Sequence, residues 1–266
     1  MSLRVRSWNL FHGNAVPPEG RAYLEEMIRL ACSDAPDVLC VQEVPVWALA
    51  RLESWSGMRA IGAVAARPSL GPLPSTAEIG RVLTALDHGL FRSAFSGQAN
   101  AVLLAPRLRP RAQEVLVLNS RGFRRAQARW LELDLVTRLA WAKERRVCVA
   151  VRVALPEAGT ALVANLHATS YAADERLADA EVRRAVAFVE ALAAPDEPIL
   201  FCGDLNVRSA RSRTLADLRG FTAPLPGIDQ VLVRGLAAET SVWPEERRRV
   251  GGRLLSDHAP VEAAVA

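Results

Sequence analysis

The chain has 266 residues, with 33 lysines and arginines against 29 aspartates and glutamates, a net charge of +4 and a pI near 9.2. That length suits one large α/β domain over residues 1–266, and no charged or Ser/Gly-rich linker divides it. So mild a charge, almost all of it arginine because Lys143 is the sole lysine, permits a phosphate-bearing ligand but excludes a dedicated nucleic-acid coat.

Cys32, Cys40, Cys148 and Cys202 show no CxxC spacing, and three of them lie in apolar stretches, so they read as small buried hydrophobes. The N-terminus runs directly into a strand pattern without an apolar signal region, and no stretch approaches the roughly 18 apolar residues of a membrane span. The expectation is a cytoplasmic protein with reduced thiols.

Leu3 to Trp8 alternates apolar residues with arginine and ends at Asn9, a strand pattern closing on a polar side chain. Leu24, Met27, Ile28 and Ala31 fall on one face of a helix predicted over Arg21 to Ala31, which Pro36 stops. Val38-Leu39-Cys40-Val41 is continuous apolar sequence, the mark of a strand covered on both faces, and it stops at Gln42-Glu43. Residues 66 to 76 read as a Pro-rich surface loop before a short helix from Glu78 to Leu86. Strands follow at Ala101 to Leu104, Gln113 to Leu118, Arg129 to Val136, Val147 to Ala154 and Ala161 to Leu166, the last two joined as a hairpin through Pro156-Glu157-Ala158-Gly159. Glu175 to Leu192 is a second helix, with a stripe at Val182, Ala185, Val186, Val189 and Leu192 and Asp174 placed to cap it. Pro198 to Cys202 is a short buried strand, Ser209 to Arg219 a helix closed by Gly220, and Ile228 to Val233 and Ala259 to Val265 are final strands. Antiparallel neighbours thus mix with an early strand-helix-strand unit.

The chemistry lies in the polar residues at the ends of these strands. Gly203-Asp204-Leu205-Asn206 places an acid and an amide at the carboxyl end of a buried strand, where ligands bind in open α/β sheets. Asn9, Glu43 and His167 also end strands, whereas Asp229 and Asp257-His258 open theirs, so one shared edge requires an antiparallel last strand. Each residue has a simpler use, Asn9 as a turn former and Glu43 as an acid at a helix start among them, but their joint occurrence favours a site. A hard cation such as Mg²⁺ takes oxygen ligands, which Glu43, Asp257 and the Asn9 amide can supply. A histidine backed by a carboxylate relays protons near neutrality. These are the parts of metal-assisted phosphoester hydrolysis.

Ser7-Trp8-Asn9-Leu10, Val41-Gln42-Glu43, Asn100-Ala101-Val102-Leu103-Leu104, Asn165-Leu166-His167, Gly203-Asp204-Leu205-Asn206, Ile228-Asp229-Gln230-Val231-Leu232 and Ser256-Asp257-His258 resemble, in order and wording, the motifs of the endonuclease/exonuclease/phosphatase superfamily. The resemblance implies a four-layered α/β sandwich, two mixed, mostly antiparallel β-sheets packed face to face with helices outside. It also implies that Asn9, Glu43 and Asp257 form a Mg²⁺ site, with Mn²⁺ as the other candidate ion. Asp204 and Asn206 look like the pair that positions the attacking water and the phosphoryl oxygens. His258, held by Asp229, looks like the general base or phosphate stabiliser. His167 resembles the histidine that protonates the leaving oxygen or grips the phosphate, and Asn100 falls on the substrate side.

Departures bear on the substrate. The tyrosine and neighbouring asparagine of abasic-site endonucleases have no counterpart ahead of the Asp-x-Asn motif, since Tyr171 follows His167. Val207-Arg208-Ser209 does not match the signature of inositol-polyphosphate 5-phosphatases. No hydrophobic hairpin long enough to dip into a membrane is evident, which speaks against a sphingomyelinase. Arg121 to Arg129 is the densest basic stretch, readable as a phosphate-contacting rim in which Arg124 and Arg125 meet substrate, or as a solvated turn. Arg247-Arg248-Arg249 reads as a charged surface turn. The expectation is a Mg²⁺-dependent phosphoesterase acting on a phosphate-containing substrate, with DNA or RNA ahead of a small-molecule or lipid phosphate. The rival from another class is a non-catalytic binding protein on the same scaffold. The oligomeric state is left open.

Overall fold

The computed structural model describes residues 2–70, 73–89, 95–156 and 159–266. In chain order its main strands are β1 (Leu3–Asn9), β2 (Val38–Val44), β3 (Arg59–Ala66), β4 (Gln98–Leu104), β5 (Arg109–Val117), β6 (Val147–Ala154), β7 (Thr160–His167), β8 (Ile199–Asp204), β9 (Asp229–Arg234), β10 (Ala238–Val242) and β11 (Val261–Val265). One sheet has the order β10-β11-β1-β2-β4-β3 and the other β9-β8-β7-β6-β5. The pairs β1/β2 and β7/β8 are parallel, and the other neighbours are antiparallel.

The two-residue period of the strands sends Val5, Val38, Cys40 and Val102 from one sheet toward Val149, Val151, Val163 and Leu200 of the other, and this valine-rich layer is the central core. Each such side chain contributes roughly 1.5–3 kcal/mol by leaving water. Helices cover the outer faces. α1 (Leu24–Cys32) lays Leu24, Met27, Ile28 and Ala31 on the first sheet, as their spacing predicts. α2 (Leu52–Ser56) and α3 (Ala77–Leu86) follow, then α4 (Arg121–Trp130) and α5 (Leu135–Ala142). α6 (Arg176–Leu192) buries Val182, Ala185, Val186 and Val189 against the second sheet, and α7 (Arg213–Asp217) lies beyond it. Helices, sheet, sheet and helices make the four expected layers. No helix among the described residues is long and apolar enough to cross a membrane.

Several local expectations are corrected. Arg129 to Val136 is not a strand but the junction of α4 and α5. Leu131-Glu132-Leu133-Asp134-Leu135 alternates like a strand, yet Asp134 accepts the Thr137 N–H at 2.7 Å and so starts a helix, while Arg, Ala and Gln favour helix upstream. Ser209 to Arg219 is broken, because Ser212 caps α7 through the Leu215 N–H at 3.0 Å. β3 and β10 carry no clear sequence signal: one is built of small residues and the other is a polar edge. β6 and β7 pair antiparallel as expected, with residues 157 and 158 of their connection outside the described residues, as are residues 71 and 72 of the Pro-rich stretch.

Polar side chains stitch the sheets together beneath one edge. Asn165 Nδ2 donates to the Val41 and Ala101 carbonyls at 3.0 and 2.8 Å, and Gln42 Nε2 donates to Asn165 Oδ1 at 2.7 Å. Buried amides that bond across the sheets in this way lock the relative position of two apolar layers that could otherwise slide.

Candidate metal and phosphoester site

Strand register assembles the site before any rotamer is considered. His167 lies opposite Asp204 in the parallel β7/β8 pair, and Asp204 opposite Asp229 in the antiparallel β8/β9 pair. Asn9 lies opposite Gln42, which brings Glu43 beside it. Gly203 permits the closest approach: its φ is +144°, and a Cβ there would sit 2.0 Å from the Leu166 carbonyl oxygen.

Asn9 is fully buried and ties the acids together. Its Nδ2 donates to Asp204 Oδ2 at 2.9 Å and to Glu43 Oε1 at 3.3 Å, and its Oδ1 accepts the Phe11 N–H at 3.0 Å. Asp204 also accepts the Asn206 N–H at 3.0 Å, and Asn206 Nδ2 donates to the Ala168 carbonyl at 3.0 Å. Burial and the neighbouring Asp229 charge raise the Asp204 carboxyl to about 7 against the lowering effect of His258 and its hydrogen bonds.

His258 Nδ1 lies 2.8 Å from Asp229 Oδ2, which leaves Nε2 facing Asp204 at 3.9 Å and Asp257 at 3.8 Å. Burial opposes its charge, but the Asp229 hydrogen bond and the surrounding acids prevail and raise the imidazole to about 10. His258 is therefore an imidazolium at neutral pH. His167 is the opposite case. Burial, then the Arg146 charge, holds it well below the ordinary histidine value, so it is neutral. Two histidines on one edge thus carry different charge states for stated reasons.

The Ser256-Asp257-His258 loop is held from three sides. Ser256 Oγ donates to the Asn9 carbonyl at 2.7 Å and accepts the His258 N–H at 3.1 Å, and Trp8 Nε1 donates to the His258 carbonyl at 2.9 Å. Arg248, expected in a surface turn, is buried and donates to the Ser256 carbonyl at 2.7 Å and the His258 carbonyl at 3.1 Å.

Glu43, Asp257 and the Asn9 amide have the donor chemistry of a hard-cation site. The Glu43 charge is among those that raise Asp257, and neither acid pairs with an arginine among the described residues. The two carboxylates have the oxygen chemistry that suits a divalent ion, whereas the Asn9 amide turns its nitrogen to Glu43 and its oxygen to the Phe11 N–H. Asp204, Asp229 and His258 form a second group whose ligand atoms lie within 4.8 Å of one another and could also hold a metal, although His258 and Asp229 already bond each other.

Two residues the sequence reading omitted belong here. His12 Nε2 sits 3.1 Å from Glu43 Oε2, and Arg146 Nη1 lies 3.0 Å from His167 Nδ1. Nearness to Asn9 and to the start of β6 was the available signal, but the turn that folds His12 back is not legible. Phe11, His12, Glu43, Asn206 and Ser256 all have φ between 48° and 61°, so most of the strained non-glycine backbone gathers at this edge. A cleft of about 270 Å³ opens beside Glu43, lined also by His12, Lys143, Arg146 and Thr169.

The other expected substrate residues differ in their placing. Asn100 lies opposite the Gln42–Glu43 stretch of β2, is 2% exposed and donates to the Val147 carbonyl at 3.0 Å, across to the other sheet. Arg124 and Arg125 lie on α4 and line a different pocket with Trp141.

Among solved structures, the chain is similar to the human Nocturnin catalytic domain with bound sulfate anion, at 14% identity and TM-score 0.67, over 100% of this chain and 93% of that one. It is similar to an endonuclease/exonuclease/phosphatase from Bacteroides vulgatus at 12% identity and TM-score 0.68, over 100% and 99%. TDP2 from C. elegans aligns at 17% identity and TM-score 0.62, over 100% and 75%. At these identities the likeness is one of fold. No curated protein matches the chain. The model of the Endonuclease/Exonuclease/phosphatase family, whose members are mostly phosphoesterase hydrolases, matches residues 7–258. Strand order, site motifs and a match from Ser7 to His258 lead to one conclusion, that the chain belongs to the Endonuclease/Exonuclease/phosphatase family.

Proposed function

We propose that this chain is a Mg²⁺-dependent phosphoesterase, with Asn9, Glu43 and Asp257 holding the ion. The observation that carries the reading is the row His167, Asp204, Asp229 in strand register, with His258 hydrogen-bonded to Asp229 at 2.8 Å. Bound there, Mg²⁺ supplies Lewis-acid neutralisation of charge on the phosphoryl group. Asp204, fixed by Asn9 and the Asn206 N–H, orients the attacking water and takes its proton. His258, kept cationic by Asp229, donates from Nε2 to the phosphoryl oxygens. His167, neutral and held by Arg146, lines the opposite side of Asp204 and grips the leaving side.

On sequence grounds DNA or RNA is the first substrate class. Lys143 and Arg146 are the cations lining the cleft beside Glu43, whereas Arg124 and Arg125 line a separate pocket. That separation favours the second reading, a small-molecule or lipid phosphoester. The test is hydrolysis of plasmid DNA, single-stranded RNA, phosphoinositide, sphingomyelin and bis-p-nitrophenyl phosphate, each with Mg²⁺ and with EDTA. Metal-dependent cleavage lost in Asp204→Asn supports the reading. Absence of cleavage across the panel by protein that still binds Mg²⁺ favours the binding-protein rival.

A further inference from the structure

We propose that the α4–α5 hairpin docks the protein onto an anionic phospholipid bilayer, beside the mouth of the catalytic cleft. Arg121, Arg124, Arg125, Arg129 and Arg138 line one pocket of about 390 Å³, and no ion pair neutralises any of them among the described residues. Arg124 Nε is buried there with no hydrogen-bond partner. The two helices and their turn carry five arginines against Glu132 and Asp134, a net +3 in a chain whose total is +4. Asp134 is already engaged as the cap of α5.

The same helices leave apolar side chains in water. Leu135, Val136 and Leu139 are 71%, 69% and 63% exposed. Leu135, Arg138 and Leu139 are spaced i, i+3, i+4 and so share one stripe of α5, which makes the apolar surface continuous with the arginine pocket at Arg138. Trp130, 69% exposed at the end of α4, adds an aromatic of the kind that settles at a membrane surface. Basic residues beside aliphatic ones on a helical face are the pattern of an interfacial element. Further along, Ala140 and Lys143 line the cleft that holds Glu43.

The chemistry selects among occupants. A second copy would bring two faces of net +3 together. A nucleic acid would satisfy the arginines but not Leu135, Val136 and Leu139, which cannot stack on bases. A bilayer with anionic headgroups satisfies both sets, with headgroup phosphates at the arginines and acyl chains at the aliphatic stripe.

The test is co-sedimentation of the full chain with phosphatidylcholine vesicles, with and without phosphatidylserine, across a salt series. Wild-type protein is expected to bind the phosphatidylserine vesicles, more weakly as salt rises, with a blue shift of tryptophan fluorescence that Trp130→Phe removes. Arg124→Ala/Arg125→Ala should weaken binding by roughly 30-fold. Leu135→Ser/Leu139→Ser should weaken it at least about tenfold while leaving the circular-dichroism melt and hydrolysis of soluble bis-p-nitrophenyl phosphate unchanged. Absence of vesicle binding by the wild type overturns the proposal, as does full binding by Leu135→Ser/Leu139→Ser. So does a DNA fragment bound in place of vesicles and released by the arginine variant, or a dimer dissociated by the leucine variant. Binding is read without turnover, so this proposal and the phosphoesterase reading fail separately.

Discussion

Asp204 is buried for chemistry at the expense of stability. A carboxyl raised to about 7 from 3.8 binds its proton more tightly folded than unfolded, so its contribution to stability falls as pH rises between those values. Asp204→Asn should therefore abolish hydrolysis, by about 10²–10⁴-fold or more, and lessen the fall in stability between pH 3.8 and about 7 in EDTA. An unchanged slope of melting temperature against pH would reject this. His258 has the usual sign of a histidine that gains a partner. Its stabilisation is complete below pH 6.5 and lost as pH rises through about 10. Asp229→Asn should flatten the wild-type fall in melting temperature across that interval, checked by calorimetry on both proteins in parallel. Glu43→Gln should raise the Mg²⁺ concentration needed for half-maximal activity.

At the scale of elements, the site depends on how closely β7 and β8 approach and how firmly the last loop is clamped. Gly203→Ala places a methyl against the Leu166 carbonyl oxygen within the ladder itself. It should cost more than about 4 kcal/mol in urea denaturation, among the largest effects of any single change, because backbone cannot move aside as a side chain can. Arg248→Met leaves the Ser256 carbonyl without its buried donor and the His258 carbonyl with Trp8 Nε1 alone. The expected result is a loss of turnover larger than the loss of stability. Glu181 does similar work from α6: it is buried and accepts the Thr169 N–H and Oγ1 at 2.7 Å, which anchors the segment after His167.

At the scale of the molecule, β1, the end of α1 and β11 meet on Arg6, which is fully buried, pairs with Asp34 and Glu262 and lies 4.3 Å from the centre of the Trp243 ring. Burial pushes the Asp34 carboxyl up, but Arg6, then Arg4, hold it down at about 2. This stabilisation is present above pH 3.8 and is lost as pH falls through about 2. Asp34→Asn should lower stability at neutral pH and lessen the acid sensitivity between those values, read from urea midpoints at each pH.

The sequence by itself determined a mixed α/β chain, its core and the placing of Asn9, Glu43, His167, Asp204 and Asp229 at strand ends, because apolar runs are local and periodic, while the sandwich was implied by the family resemblance. Tertiary structure decided the rest. Arg6 and Arg248 look like surface cations, and only packing shows them buried against carboxylates and carbonyls. His12 and Arg146 join the site through a positive-φ turn and a cross-strand approach, neither of which has a sequence period. Around Glu132 the alternation of a strand lost to a capped helix, and a helix leaves Leu135, Val136 and Leu139 in solvent where a strand would have buried one face. Periodicity reports which side of an element is apolar, whereas what that side meets depends on elements far along the chain.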